Sequence, residues 1–161
     1  MNSLASVGRG GDLLFGICLL ALSACAPTSE PEQSQESEYR LILNMAELMS
    51  DVIDPAADVI WDSAGYDIRI DGEKNLAPTT TDGWAHVANS AAVIMESANL
   101  LMLPGRDLPG GWSEMASGMA DAGMAAKVAA QNRDDAALFE AGGAIYRVCV
   151  SCHQEYWVQE L

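Results

Sequence analysis

The stretch that decides how this chain folds is its last fifteen residues, Arg147–Leu161, which read RVCVSCHQEYWVQEL. The stretch contains a C-x-x-C-H string from Cys149 to His153. Three kinds of site use cysteines at this spacing: a disulfide or redox pair, a zinc site, and a covalent haem attachment. Which of these three sites is present determines the cellular compartment and the fold to expect for the rest of the chain.

Haem attachment explains the string best. On a helix, Cys149 and Cys152 lie on one face, where both thiols can add to the vinyl groups of one haem, and the adjacent His153 can offer its imidazole to the iron. A thioredoxin-like redox pair needs a preceding strand and a βαβ pattern, which the sequence lacks. Zinc needs about four ligands, and beyond these three the only other histidine is His86. The sequence therefore predicts one covalently bound haem c.

The first 24 residues are typical of an export signal. Arg9 lies in a short polar region, and the apolar run Leu13–Leu22 is too short to span a membrane as a helix. The run ends in LSAC, which resembles a bacterial lipobox, so Cys25 is the expected lipidation site and Cys18 is removed with the signal. The alternative is an ordinary cleaved signal in which Cys25 is incidental.

Residues 25–38 are polar, acidic and proline-containing, which predicts a flexible tether. The protein is therefore expected outside the cytoplasm, in the periplasm and lipid-anchored to a membrane. Ala26 follows the expected lipidation site, and this resembles the sequence of lipoproteins that are sorted to the outer membrane. Cysteines in this compartment can persist as disulfides, so a disulfide or redox pair is one of the alternatives for Cys149 and Cys152.

Residues 39–161 form the predicted folded domain, with four segments whose apolar residues recur at helical spacing. These segments run from Tyr39 to Asp62, from the Thr79–Asp82 cluster to the break at Leu103–Gly111, from Trp112 to the Gln131–Arg133 connection, and from Asp134 past His153. We expect an all-α fold, an antiparallel up-down-up-down four-helix bundle with the haem at one end.

Three local features leave alternatives open. Pro55 either restarts the first helix or kinks a continuous one. The Ser63–Pro78 segment reads as a long loop, in which a weak alternation around Asp71-Gly72 allows a small hairpin. Asn132 is the expected cap in the connection between the third and fourth helices.

A C-x-x-C-H on the last of four helices resembles the class II c-type cytochromes, which comprise cytochrome c′ and its low-spin relatives. The resemblance spans Tyr39–Trp157. It is carried by Cys149, Cys152 and His153, by Trp112 opening the third helix after a Pro/Gly loop, and by Tyr39-Arg40. The chain departs from the pattern in the long Ser63–Pro78 loop with Pro55 before it, and in Trp157, where many relatives carry a basic residue.

Bundle geometry gathers Arg40–Leu48, Ala98–Leu103, Trp112–Ser117 and Cys149–Tyr156 at the haem end. His86 lies at the other end of its helix, too far away to serve as the distal ligand. The resemblance implies either a first-helix methionine as sixth iron ligand, as in the low-spin relatives, or an apolar residue that leaves the iron five-coordinate, as in cytochrome c′.

Met45 is the expected sixth ligand and Met49 the runner-up, although a methionine on an apolar stripe also fills cores. Arg40 is a candidate partner for a haem propionate. Trp112 and Tyr156 are expected to pack near the ring or to fill the core.

The formal net charge of −15 argues against nucleic acid and favours cationic redox partner proteins. The other expected partners are a membrane, through the lipid anchor, and a second copy of the chain in a homodimer. No Ser/His/Asp arrangement, phosphate loop or paired-carboxylate site is evident, so we do not expect an enzyme. Electron transfer is the expected function. A five-coordinate gas-binding haem protein for NO or CO is the main alternative, and a haem-free interaction protein is the third.

Overall fold

The computed structural model describes residues 39–157, where the chain is mainly helical with one small two-stranded sheet. The elements are α1 (Met45–Leu48), a π-helical segment (Met49–Ile53), α2 (Asp54–Trp61), β1 (Tyr66–Arg69), β2 (Gly72–Asn75), α3 (Thr81–Leu101), α4 (Trp112–Asn132) and α5 (Asp135–Tyr156). The signal, tether and Cys25 predictions concern residues outside this range. None of the helices in residues 39–157 is long and apolar enough to cross a membrane.

The first helix begins at Met45, so the prediction that it starts at Tyr39 is wrong. Asn44 caps it in a reciprocal capping box: the Glu47 backbone N–H donates to Asn44 Oδ1 at 2.9 Å, and the Asn44 N–H donates to Glu47 Oε2 at 2.9 Å. This pairing satisfies two backbone donors that a helix start otherwise leaves unbonded. The apolar residues before Asn44 also fit the helical spacing, but the helix begins only after the cap at Asn44. Arg40 therefore precedes the helix.

Of the two alternatives for Pro55, the structure shows a continuous helical run and not a restart from a cap. Pro55 lies in the first turn of α2, directly after the π-helical segment, in which the Asp54 N–H donates to the Met49 carbonyl five residues earlier. Proline has no N–H to donate and its ring crowds the carbonyl four residues before it. A widened π turn at this point lets the chain remain helical from Met45 to Trp61.

The hairpin alternative for the Ser63–Pro78 segment is confirmed. Strands β1 and β2 pair antiparallel from Tyr66 opposite Asn75 to Arg69 opposite Gly72. Gly65 enters the hairpin with φ of 86°, in the left-handed region that glycine adopts without strain. The hairpin is an addition to the otherwise helical fold.

The three long helices begin and end close to their predicted positions. Thr80 caps α3 by accepting a hydrogen bond from the Gly83 N–H at 3.0 Å, and Asp134 caps α5 through the Ala137 N–H at 2.9 Å. The expected cap at Asn132 is wrong by one residue, because Arg133 takes the left-handed conformation (φ 55°) that ends α4. The αL position is normally given to glycine or asparagine, and arginine occupies it here.

The core lies between the helical segments. Helix α4 contacts α3 and α5, and α2 contacts both α3 and α5. The predicted inward residues of the second helix are all buried: Trp84, Val87, Ala91, Ile94, Ala98 and Leu101. Helices α3 and α4 approach closely at Gly123, where a Cβ would come within 3.1 Å of the Met95 backbone nitrogen. Burial of this apolar surface is the main driving force for the fold.

Candidate haem-attachment site

Helix α5 carries the whole C-x-x-C-H string near its C-terminal end. The residues before it anchor the helix, since Leu138, Ala141 and Ile145 are buried as predicted. Val148 and Cys152, the other two residues predicted to face inward, are half-buried and pack against the same core. The helix thus holds the string against the body of the protein.

The two thiols are free and half-buried. Cys149 and Cys152 both pack against the edge of the core, and they are not joined in a disulfide. Three residues on an α-helix separate side chains by less than one turn, so both sulfurs lie on the same side of α5. This is the arrangement that double attachment to one planar ligand requires.

The electrostatics of the two thiols favour the protonated form. Burial raises the pKa of Cys149, and the nearby Asp54 carboxylate and then Cys152 raise it further, against a smaller opposing effect of a backbone hydrogen bond. Burial also raises the pKa of Cys152, with Glu155 adding to the effect. Redox-active cysteines in C-x-x-C motifs instead have a lowered pKa, since the thiolate is the nucleophile. The raised pKa of Cys149 and Cys152 differs from that pattern.

His153 is half-buried directly beside the second thiol. Its ring makes an edge-to-face contact with Trp157, with the centroids 5.0 Å apart, and its carbonyl accepts the Trp157 N–H at 3.0 Å. Trp157 lies just after α5 and is largely exposed. The Trp157 ring thus packs against the predicted iron ligand.

Trp112 and Tyr156, both predicted near the haem, are in contact with each other. Their rings meet edge to face at 5.0 Å, and Trp112 is buried. The Trp112 Nε1–H donates to the Leu101 carbonyl at 2.8 Å, and the Tyr156 hydroxyl donates to the Pro109 carbonyl at 2.8 Å. These bonds connect the end of α3, the loop before α4 and the end of α5.

The α2 part of the first helical run contacts α5. Asp54 is close enough for its charge to affect the Cys149 thiol. Met45 and Met49 precede Asp54 on this run, and both are half-buried against the core. Met102 is also half-buried and packed there, while Met115 is half-buried at the start of α4. The first run therefore brings thioether sulfur to the same bundle of helices as His153.

Arg106 is a half-buried cation that the sequence interpretation missed. Its guanidinium donates to the Leu43 carbonyl at 2.9 Å and to the Leu100 carbonyl at 3.3 Å, which fastens the segment before α1 to the end of α3. The predicted cation Arg40, by contrast, is exposed. The available signal was a single arginine between two Pro-Gly dipeptides, in a loop that the bundle geometry assigns to the haem end.

His86 is exposed near the start of α3. The end of that helix, at Leu101, is fifteen residues away, or about 22 Å at 1.5 Å per residue. Within residues 39–157, no three His, Cys, Asp or Glu side chains are grouped so that they could hold a metal ion.

The donor set fits a haem. Two free thiols lie on one helical face, an imidazole follows them, and thioethers lie on the neighbouring helical run. No family model matches the chain, and neither a curated protein nor a solved structure is significantly similar to it. The residues themselves therefore carry the functional argument.

Proposed function

We propose that this protein is a monohaem c-type cytochrome that transfers electrons outside the cytoplasm. The observation that carries the proposal is the pair of free, half-buried thiols on one face of α5 with His153 next to them. Each thiol would add across one vinyl group, so that a C–S bond forms and the thiol hydrogen passes to the other vinyl carbon. The addition needs no net oxidation or reduction.

His153 would supply the proximal imidazole, and Met45 the sixth ligand, with Met49 as the second candidate. Both methionines are half-buried against the core and belong to the helical run whose α2 part contacts α5. The helices would run up-down-up-down, so that the end of α5 meets the start of the first run and the haem lies at that end of the bundle. Haem iron exchanges single electrons between its ferrous and ferric states, and thioether ligation raises its reduction potential.

The surrounding residues have supporting roles in this proposal. Trp112 and Tyr156 fix the end of α5 to the rest of the bundle and provide apolar surface there. Arg40 and Arg106 are the candidate cations for the haem propionates, and Arg106 is the better anchored because two carbonyls hold its guanidinium. The role proposed for these residues is to hold the haem, and no catalytic role is assigned to them.

The proposed setting is the periplasmic face of a membrane. Lipidation of Cys25 would anchor the chain, with the outer membrane as the destination that Ala26 favours, and the acidic residues 25–38 would act as a tether. A net charge of −15 would attract cationic redox partners and repel nucleic acid. A homodimer is compatible with this arrangement.

The decisive test is expression of the chain with and without haem-maturation machinery. We expect a haem-staining band that survives denaturation, and a mass increased by one haem, only when the machinery is present. A mature protein of unmodified mass, with its thiols free or joined to each other, would contradict the proposal.

The optical spectrum of the reduced protein separates the two haem functions. Six-coordinate low-spin bands are the expected result for electron transfer. Five-coordinate high-spin bands with uptake of CO would instead indicate the gas-binding alternative, in which neither Met45 nor Met49 ligates the iron.

A further inference from the structure

A cleft of about 610 Å³ lies between the β-hairpin and the first turns of α5. We call it the hairpin groove. Its apolar lining comes mainly from Tyr66, Ile68 and Phe139, whose side chains are 55%, 75% and 57% exposed. Large apolar side chains this exposed and this close together are typical of binding surfaces.

A second, smaller cleft continues the surface along α5. It has a volume of about 290 Å³ and is lined by Trp61, Phe139 and Tyr146, among others. Phe139 lines both clefts and so forms the ridge between them. Tyr146 packs edge to face on Trp61 with the centroids 6.2 Å apart. The two clefts therefore form one apolar surface with an aromatic side chain at its centre.

The groove is held in shape by contacts between the hairpin and α5. Asn75 donates its side-chain N–H to Asp135 Oδ2 at 2.8 Å. Gly65 lies against the Phe139 ring, because a Cβ at Gly65 would be only 3.1 Å from it. The Leu76 N–H closes the base of the hairpin on the Gly65 carbonyl at 3.0 Å. A preformed groove binds without the entropic cost of ordering its walls.

The polar part of the lining is acidic. Asp134, Asp135 and Glu140 line the groove together with Asn75. The partial positive charge at the N-terminal end of α5 is already compensated, because Asp134 caps the helix and Asp135 lies in its first turn. An anionic ligand is therefore disfavoured, and so is a second copy of a chain whose net charge is −15.

We propose that the hairpin groove docks a segment of a partner protein that combines apolar anchor side chains with lysine or arginine. The apolar residues would occupy the surface around Phe139, and the cations would face Asp134, Asp135 and Glu140. Apolar anchors supply most of the affinity at such interfaces, and charge complementarity supplies orientation and rate of association.

This docking surface is separate from the haem site. Asp135 and Cys149 are fourteen residues apart on α5, which corresponds to about 21 Å along the helix. A partner in the groove would leave the motif end of α5 accessible to a redox protein. The inference does not depend on haem, and it stands or falls independently of the proposed function.

The test uses the protein purified as its cells process it and three synthetic peptides of equal length. One peptide alternates lysine with leucine, the second glutamate with leucine, and the third lysine with serine. We expect only the lysine–leucine peptide to bind, as measured by calorimetry. Phe139→Ser and Ile68→Ser should each weaken its binding by about tenfold.

Matched controls test whether the peptide binds in the groove or is attracted only by the negative charge of the whole chain. Val128→Ser on α4 removes a similarly exposed apolar side chain (47% exposed) at another surface and should leave binding unchanged. Glu140→Gln should weaken binding more than Asp121→Asn, which removes an exposed carboxylate from α4. Carbodiimide cross-links from the peptide lysines should map to Asp134, Asp135 or Glu140.

Three results would overturn the proposal. The first is equal weakening by Val128→Ser and Phe139→Ser. The second is equal binding of the glutamate–leucine peptide. The third is a dimer in sedimentation experiments that Phe139→Ser dissociates, since the groove would then be a contact between two copies of this chain.

Discussion

The two ends of helix α5 are built in opposite ways. At its C-terminal end the side chains pack inward: Trp112 is only 3% exposed, and hydrogen bonds from Trp112 and Tyr156 join three segments of the chain. At its N-terminal end a hairpin leaves Tyr66, Ile68 and Phe139 largely exposed. The first end is tied to the rest of the protein by buried and hydrogen-bonded side chains, and the second presents apolar side chains to solvent.

Removing both thiols gives the largest expected effect. The Cys149→Ser/Cys152→Ser double variant should carry no covalent haem, while each single variant keeps one attachment point. Haem staining and intact mass of the purified protein measure this. Phe139→Ser at the other end of α5 is the control and should retain full haem content. Covalent haem in the double variant would show that the motif is not the attachment site.

Replacing the proposed distal ligand should change the spin state of the proposed haem without detaching it. We expect Met45→Ala to convert the low-spin spectrum to a high-spin one that binds CO, because the sixth coordination position becomes open. Met49→Ala is the matched variant on the same helical run. A spectrum unchanged in Met45→Ala but altered in Met49→Ala would transfer the role to the second methionine.

The two ends should also differ in their contribution to stability. Trp112→Ala should lower the free energy of unfolding by about 3–5 kcal/mol, since it removes a buried aromatic side chain. Phe139→Ala should cost less than about 1 kcal/mol, because more than half of the ring is exposed. Denaturant titration of both variants measures the difference. Equal losses would mean that the hairpin end is packed as firmly as the motif end.

A single hydrogen bond at the motif end should have a smaller effect. Tyr156→Phe removes the bond to the Pro109 carbonyl and keeps the ring against Trp112. The loss in the free energy of unfolding should be smaller than that of Trp112→Ala, because this hydrogen bond is exposed to solvent, and the same titration measures it. Tyr146→Phe, which alters a 60% exposed tyrosine, is the control and should be nearly neutral.

The smallest expected effect is a pH dependence of the stability of the haem-free chain, caused by ionisation of its two thiols. Burial raises the pKa of both Cys149 and Cys152 in the folded state. The pKa of a cysteine thiol in an unfolded chain is about 8.5. The folded state thus holds its protons to higher pH, so stability should fall as pH rises above that value.

Alkylation by iodoacetamide should accordingly be slower in the folded chain than in urea at pH 8. Faster alkylation of the folded chain would mean that its thiols are activated, as in a redox protein.

The sequence was most informative where the structure depends on nearby residues. The C-x-x-C-H string and the stripe from Leu138 to Ile145 lie on one helix, so periodicity alone predicted which side faces inward. The start of the first helix was missed because apolar residues before Asn44 fit the same period. The capping box formed by Asn44 and Glu47 was the better signal.

Features made by distant segments could not be predicted in this way. The hairpin groove requires Gly65 and Asn75 to meet α5 more than fifty residues later, and no local pattern encodes that contact. Arg106 was missed for the same reason, since its partners are the carbonyls of Leu43 and Leu100. At the motif end, the sequence predicted that Trp112 and Tyr156 lie at the same end of the bundle, but not the hydrogen bond from Tyr156 to Pro109.

The π turn before Pro55 gives the first helical run one surplus residue. Leu48 and Ile53 are both buried, at 1% and 2% exposure, although they are five positions apart in the sequence. A regular α-helix instead brings residues three or four positions apart to the same face. Deleting one of the exposed residues between them, Ser50 or Asp51, would leave Leu48 and Ile53 on the same face of a regular α-helix. This turn is therefore a place where the helical run can lose one residue and still keep Leu48 and Ile53 in the core.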